Sequence, residues 1–97
     1  MIIVAAKVRV KPGKREEFIQ AAQDSIAATR KENGNVFYEL YASTEDGNLV
    51  MYYEQWTGRD VLAVHLDSAH MKAFAKIKEE RGLVEGPSEV TVYDLAE

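Results

Sequence analysis

Two neighbouring stretches of the chain, Val36–Ser43 (VFYELYAS) and Asn48–Trp56 (NLVMYYEQW), carry apolar and aromatic side chains at both parities. Successive side chains of a β-strand point to opposite faces of its sheet. The second stretch therefore sets Leu49, Met51 and Tyr53 against Val50, Tyr52 and Trp56, and the first sets Tyr38 and Leu40 against Phe37 and Tyr41. A sheet made from such strands needs cover on both faces, and this requirement limits the possible folds more than any other feature.

The flanking segments supply cover for one face only. Ile2 to Val10 alternates as a strand and stops at Pro12-Gly13. Lys14 to Glu32 places Phe18, Ala22, Ser25, Ile26 and Thr29 at helical spacing, and Asn33-Gly34 ends it. Thr44-Glu45-Asp46-Gly47 separates the two aromatic strands as a hairpin. A second helical region begins near Gly58-Arg59-Asp60. It is expected to break at Asp67-Ser68 and to restart from about Ala69 to Arg81, with an apolar stripe of Met71, Phe74, Ala75 and Ile77. Ser88 to Leu95 is the last strand. The order β-α-β-β-α-β is the α+β, ferredoxin-like split arrangement. Its helices protect one face, so a homodimer packed through the sheet faces is expected to protect the other.

With 97 residues, 46% of them apolar, the chain supports one core and is read as one domain over residues 1–97. The absence of cysteine excludes disulfides, thiolate zinc sites and a thiol nucleophile. A net charge of −4 with dispersed basic residues argues against nucleic acid and membrane surfaces as partners. No apolar run is long enough to cross a bilayer, so a cytoplasmic protein is the expectation.

No phosphate loop or nucleophile elbow is present. The chemistry-bearing residues are His65, His70, Trp56, Tyr52, Glu39 and Glu54. On one continuous helix, His65 and His70 would diverge by about 140°. A break at Asp67-Ser68 could turn both toward one cavity, where an imidazole serves as general base. The alternative is a capping histidine and a packed one. Trp56 either plugs a corner of the fold or walls an apolar pocket. Glu39 and Glu54 are read as sharing a face with Tyr41, Tyr52 and Trp56, paired with cations such as Lys7 or Arg9 or acting as proton acceptors. A metal site would need Glu39 or Glu54 as its third ligand, and no spacing marks one, so no metal is expected.

Taken in order, IVAAKVRVKPGKREEFIQA, GNVFYELY, YYEQW, HLDSAHMKAF and EVTVYDL resemble the antibiotic biosynthesis monooxygenase domain from Ile2 to Leu95. The stretch from His65 to Phe74 is most similar to bacterial quinol monooxygenases and the related autoinducer-2 processing enzyme. The resemblance implies a dimeric α+β barrel, a pocket between sheet and helices, and oxidation of phenols or quinols without metal or flavin. Haem-degrading members use an Asn, a Trp and a His where this chain has Ala6, His65 and Ala75, so the resemblance does not extend to haem. Polyketide-oxidising members carry an Asn where Tyr52 stands, although their strand-end Trp is kept as Trp56.

The expectation is therefore a cofactor-independent monooxygenase acting on a small phenol or hydroquinone. His65 is its base and His70 the orienting partner. Tyr52, Trp56 and Phe74 form the apolar walls, and Glu39 is a further substrate contact. Two other functions compete: a proton-shuttling isomerase of a small keto-sugar-like compound, and a dimeric protein that binds aromatic rings without turning them over.

Overall fold

A computed structural model describes residues 1–96. In chain order the elements are β1 (Ile2–Arg9), α1 (Arg15–Arg30), β2 (Asn35–Ala42), β3 (Leu49–Trp56), α2 (Arg59–Leu66), α3 (Ala69–Glu80) and β4 (Glu89–Asp94). The strands form one sheet in the order β2-β3-β1-β4, with every neighbouring pair antiparallel. The sheet is open, and the fold is the ferredoxin-like α+β arrangement with its second helical region in two pieces.

Alternation decides which side of the sheet is covered. Ile2, Val4, Val8, Tyr38, Val50, Tyr52 and Trp56 form the core with Phe18, Ala22, Ile26 and Phe74 from the helices. The Phe18 ring is fully buried and meets Tyr52 at 6.5 Å and Phe74 at 5.6 Å between centroids. Burying a side chain of this size contributes about 1.5–3 kcal/mol. Phe18, Ala22, Ser25, Ile26 and Thr29 are the buried positions of α1, as its spacing dictates. On α3 the covered stripe differs from expectation. Lys78 is drawn into it and Ala75 faces solvent, because the stripe follows Phe74 to Lys78 at i, i+4.

Register corrects the expected sharing of faces. Tyr38 pairs with Glu54 and Leu40 with Tyr52, whereas Glu39 pairs with Tyr53 and Tyr41 with Met51. Directly paired residues lie on the same side of a sheet. Glu54, Tyr52 and Trp56 thus face the helices, while Glu39 and Tyr41 face away. The outward face also carries Phe37 stacked on Tyr53 at 5.4 Å. Tyr41 is 53% exposed and Tyr93 55%.

Two turns hold the site in place. Gly34 has φ +87°, and a β-carbon there would come within 2.7 Å of Val61 and 2.8 Å of Thr57. Glycine lets the chain reverse tightly after α1, leaving Glu32 in the turn against α2. Between α2 and α3, Ser68 caps α3 by accepting from the Met71 N–H. The hairpin between β2 and β3 is longer than a two-residue turn. Ser43 Oγ accepts from the Asp46 N–H at 3.0 Å, and Asp46 Oδ1 accepts from the Asn48 N–H at 2.9 Å.

Candidate active site

The break at Asp67-Ser68 brings the two histidines together, with ring centroids 5.7 Å apart. They meet on one carboxylate oxygen. Glu32 Oε2 lies 2.6 Å from His65 Nδ1 and 2.9 Å from His70 Nε2. Ser25 Oγ, buried on α1, lies 3.2 Å from His70 Nδ1. Glu32 Oε2 accepts an N–H bond from each ring, and the Ser25 hydroxyl, which also lies 3.7 Å from Met71 Sδ, meets the other nitrogen of His70. With Nδ1 of His65 held as the donor, Nε2 is the basic nitrogen of that ring.

His65 is 1% exposed and lies between two aromatic rings, Trp56 at 4.7 Å and Tyr38 at 5.6 Å. Burial pushes its pKa down, and the Glu32 carboxylate opposes that shift. The ring is therefore neutral near pH 7 and able to take a proton.

His65 forms part of the wall of a cavity of about 160 Å³ between the helices and the sheet. Val4, Ala6, Val8, Met71 and Phe74 make its apolar surface, and Tyr38, Tyr52, Glu54 and Lys78 add polar atoms. For Glu54 the sequence leaves two expectations, a carboxylate paired with a cation such as Lys7 or Arg9, or a proton acceptor. Among the described ion pairs no cation stands beside it. It is instead buried on the cavity wall, with the Trp56 indole N–H donating to its Oε1 at 2.9 Å. Desolvation pushes its pKa up to about 7, and Glu32 adds to the rise while the Trp56 N–H opposes it. The Tyr38 and Tyr52 phenols are also pushed up by burial and by Glu54, so both stay protonated as donors.

Of the residues singled out in the sequence, His65, Tyr52, Glu54 and Phe74 line the cavity. His70 stands behind His65 on Glu32. Trp56 is fully buried and meets the cavity through Glu54 and His65 rather than as its wall. Glu39 lies on the opposite face of the sheet and pairs with Arg30 at 3.3 Å. Sequence reasoning missed Glu32, Ser25 and Tyr38. The one available signal for Glu32 was its place beside the Asn33-Gly34 helix stop.

The carboxylate that stands with the two histidines is Glu32, so a third metal ligand there would be Glu32 and not Glu39 or Glu54. The ligand atoms of Glu32, His65 and His70 lie within 4.8 Å of one another. Hydrogen bonding alone also accounts for each of these atoms. Among the described residues no helix is long and apolar enough to cross a membrane.

An open ferredoxin-like sheet, with a carboxylate–histidine cluster beside a largely apolar cavity under its helices, defines a small α+β protein. The antibiotic biosynthesis monooxygenase profile matches residues 1–77, and the chain belongs to this family. It is 36% identical over its full length to the Bacillus subtilis protein named "Putative monooxygenase YcnE", all of which it covers. It is 32% identical to the Synechocystis protein sll1783 over 99% of its own length, and spans 64% of that relative. A Bacteroides thetaiotaomicron crystal structure, described as a conserved protein of unknown function and possible oxidoreductase, superposes with a TM-score of 0.83 at 30% identity. The match covers 97% of this chain and 96% of that one.

Proposed function

We propose that the protein is a cofactor-independent monooxygenase that oxidises a small phenol or hydroquinone with O₂. The observation that carries this reading is His65, a buried imidazole oriented by Glu32 on the wall of an apolar cavity. The cavity, about 160 Å³, also speaks for a single ring. An apolar protein cavity of about 150 Å³ is enough to hold benzene.

In this mechanism His65 Nε2 removes a hydroxyl proton from the bound ring, which makes the ring a better electron donor. One electron passes to O₂, and the resulting pair combines at a ring carbon. Loss of water then leaves a hydroxyquinone when the substrate is a hydroquinone. One oxygen atom enters the ring and the other leaves as water, and the ring supplies all four electrons. Glu32 stabilises the imidazolium, Tyr38 and Tyr52 offer hydroxyl donors, and the apolar walls keep bulk water from the intermediate.

The test is oxygen uptake with a panel of phenols and hydroquinones, run in chelator. Uptake above the uncatalysed rate, falling about 100-fold or more in His65→Ala, supports the reading. Uptake at the uncatalysed rate, or an unaffected His65→Ala, overturns it. A second reading, a proton-shuttling isomerase, is favoured by Glu54 with a pKa of about 7 on the same cavity as His65. Two such groups can pass a proton between adjacent carbons. Turnover under strict anaerobiosis distinguishes it from the first.

We further propose that a second copy of the chain covers the outward face of the sheet. Phe37, Tyr41, Met51 and Tyr53 stand there without helices above them, as a sheet-to-sheet homodimer requires.

A further inference from the structure

Along α3, His70, Phe74 and Lys78 follow at i, i+4 and i+8. The first and last are about 12 Å apart along the helix axis. This stripe leads from the imidazole cluster past Phe74 to Lys78, and Phe74, Lys78, Ser88 and Val90 all line the cavity. Val90 is 58% exposed, so the cavity reaches solvent beside β4.

Lys78 is unusual among the lysines of this helix. Lys72 pairs with Asp67 at 3.2 Å and Lys76 with Glu80 at 3.8 Å, both on the exposed surface. Lys78 is half-buried, and among the described residues no carboxylate stands within ion-pair distance of it. Its side chain folds back toward the helix N-terminus, as helical geometry favours, and Nζ sits over the Phe74 ring at 4.6 Å. Burial pushes its pKa down. A partly desolvated ammonium with only an aromatic face for company gains from an anionic partner. The cavity lining therefore combines the His65 imidazole with a cation held over the Phe74 ring.

We propose that the preferred ligand is a single-ring hydroxyarene bearing a carboxylate, its hydroxyl toward His65 and its carboxylate on Lys78. This inference rests on reading the cavity as a phenol site and names the substrate class. Phenol and 4-hydroxybenzoate share the ring and hydroxyl and differ in the charge at the far end.

Calorimetric titration of both probes under nitrogen measures the preference without turnover. The wild-type protein binds 4-hydroxybenzoate about tenfold tighter or more, as a charge-assisted contact implies. Lys78→Met abolishes the difference and Lys78→Arg retains it. Equal affinities in the wild type, or a preference that survives in Lys78→Met, overturns the inference. A preference without oxygen uptake overturns the oxidation and leaves the ligand class standing, and uptake without a preference does the reverse.

Discussion

Trp56 donates its indole N–H to Glu54 across 2.9 Å, both side chains projecting from β3 into the helix-covered core. The two positions are separated by one residue of strand, so the pleat itself sets their spacing. Removing the donor leaves a buried carboxyl without its partner. Trp56→Phe is expected to destabilise the protein by about 1–3 kcal/mol, read from urea midpoints. A variant as stable as the wild type would show that this bond does not hold Glu54.

Glu54 ties stability to pH. Its pKa rises from 4.5 to about 7 on folding, so within that window the folded state keeps a proton that the unfolded state has released. Stability from this group is fully present below pH 4.5 and is lost as pH rises to about 7. His65, with its lowered pKa, acts the opposite way, since acid below its ordinary value favours the unfolded state. Subtracting the Glu54→Gln curve from the wild-type curve cancels the histidine. The difference should favour Glu54→Gln increasingly from pH 4.5 to pH 7 and then level off. Parallel curves would refute it.

Glu32→Gln keeps an oxygen that can accept from His65 Nδ1 but removes the charge. The carboxylate holds the His65 pKa up, so its loss lowers that pKa further. The acid limb of the kcat/KM profile should move to lower pH, with a reduced plateau from the weaker base. An unmoved limb would separate Glu32 from the titrating group.

Gly34→Ala combines a left-handed backbone with a β-carbon pressed against Val61 and Thr57. The expected cost is about 1–2 kcal/mol or more in chemical denaturation. Because the same turn carries Glu32, oxygen uptake should fall beyond what the lost stability explains. Full activity at a temperature where the variant is folded would show that the turn does not position the site.

Tyr53→Lys puts a charge in the middle of the outward face, beside Phe37. If the proposed dimer forms through this face, the wild type sediments as a dimer at micromolar concentration and the variant as a monomer, and a monomeric wild type overturns the proposal. A variant that remains dimeric would move the interface elsewhere.

The fold was legible because its signals are local. Alternation gave each strand two faces, Gly34 closed the first turn, and Ser68 capped the third helix where the histidines needed a break. The site was legible only in part. Alternation tells which residues of one strand share a side, but not how neighbouring strands align. The connection from Ser43 to Asn48 is too long for a fixed two-residue register. A slip of one residue exchanges the faces, so parity alone lets Glu39 share a face with Tyr52, whereas the actual register pairs it with Tyr53. Glu32 was harder still. It reaches His65 across 33 positions of sequence, from a turn whose composition suggests only a helix end.

The arrangement of Phe74 and Lys78 on one helical stripe separates two tasks. In the proposed reading His65, at the end of α2, and Glu32, in the turn after α1, handle the proton, whereas Lys78 on α3 meets the charge of the guest. On that reading, exchanging Lys78 alone would change which guest is preferred while leaving the His65–Glu32 pair as it stands.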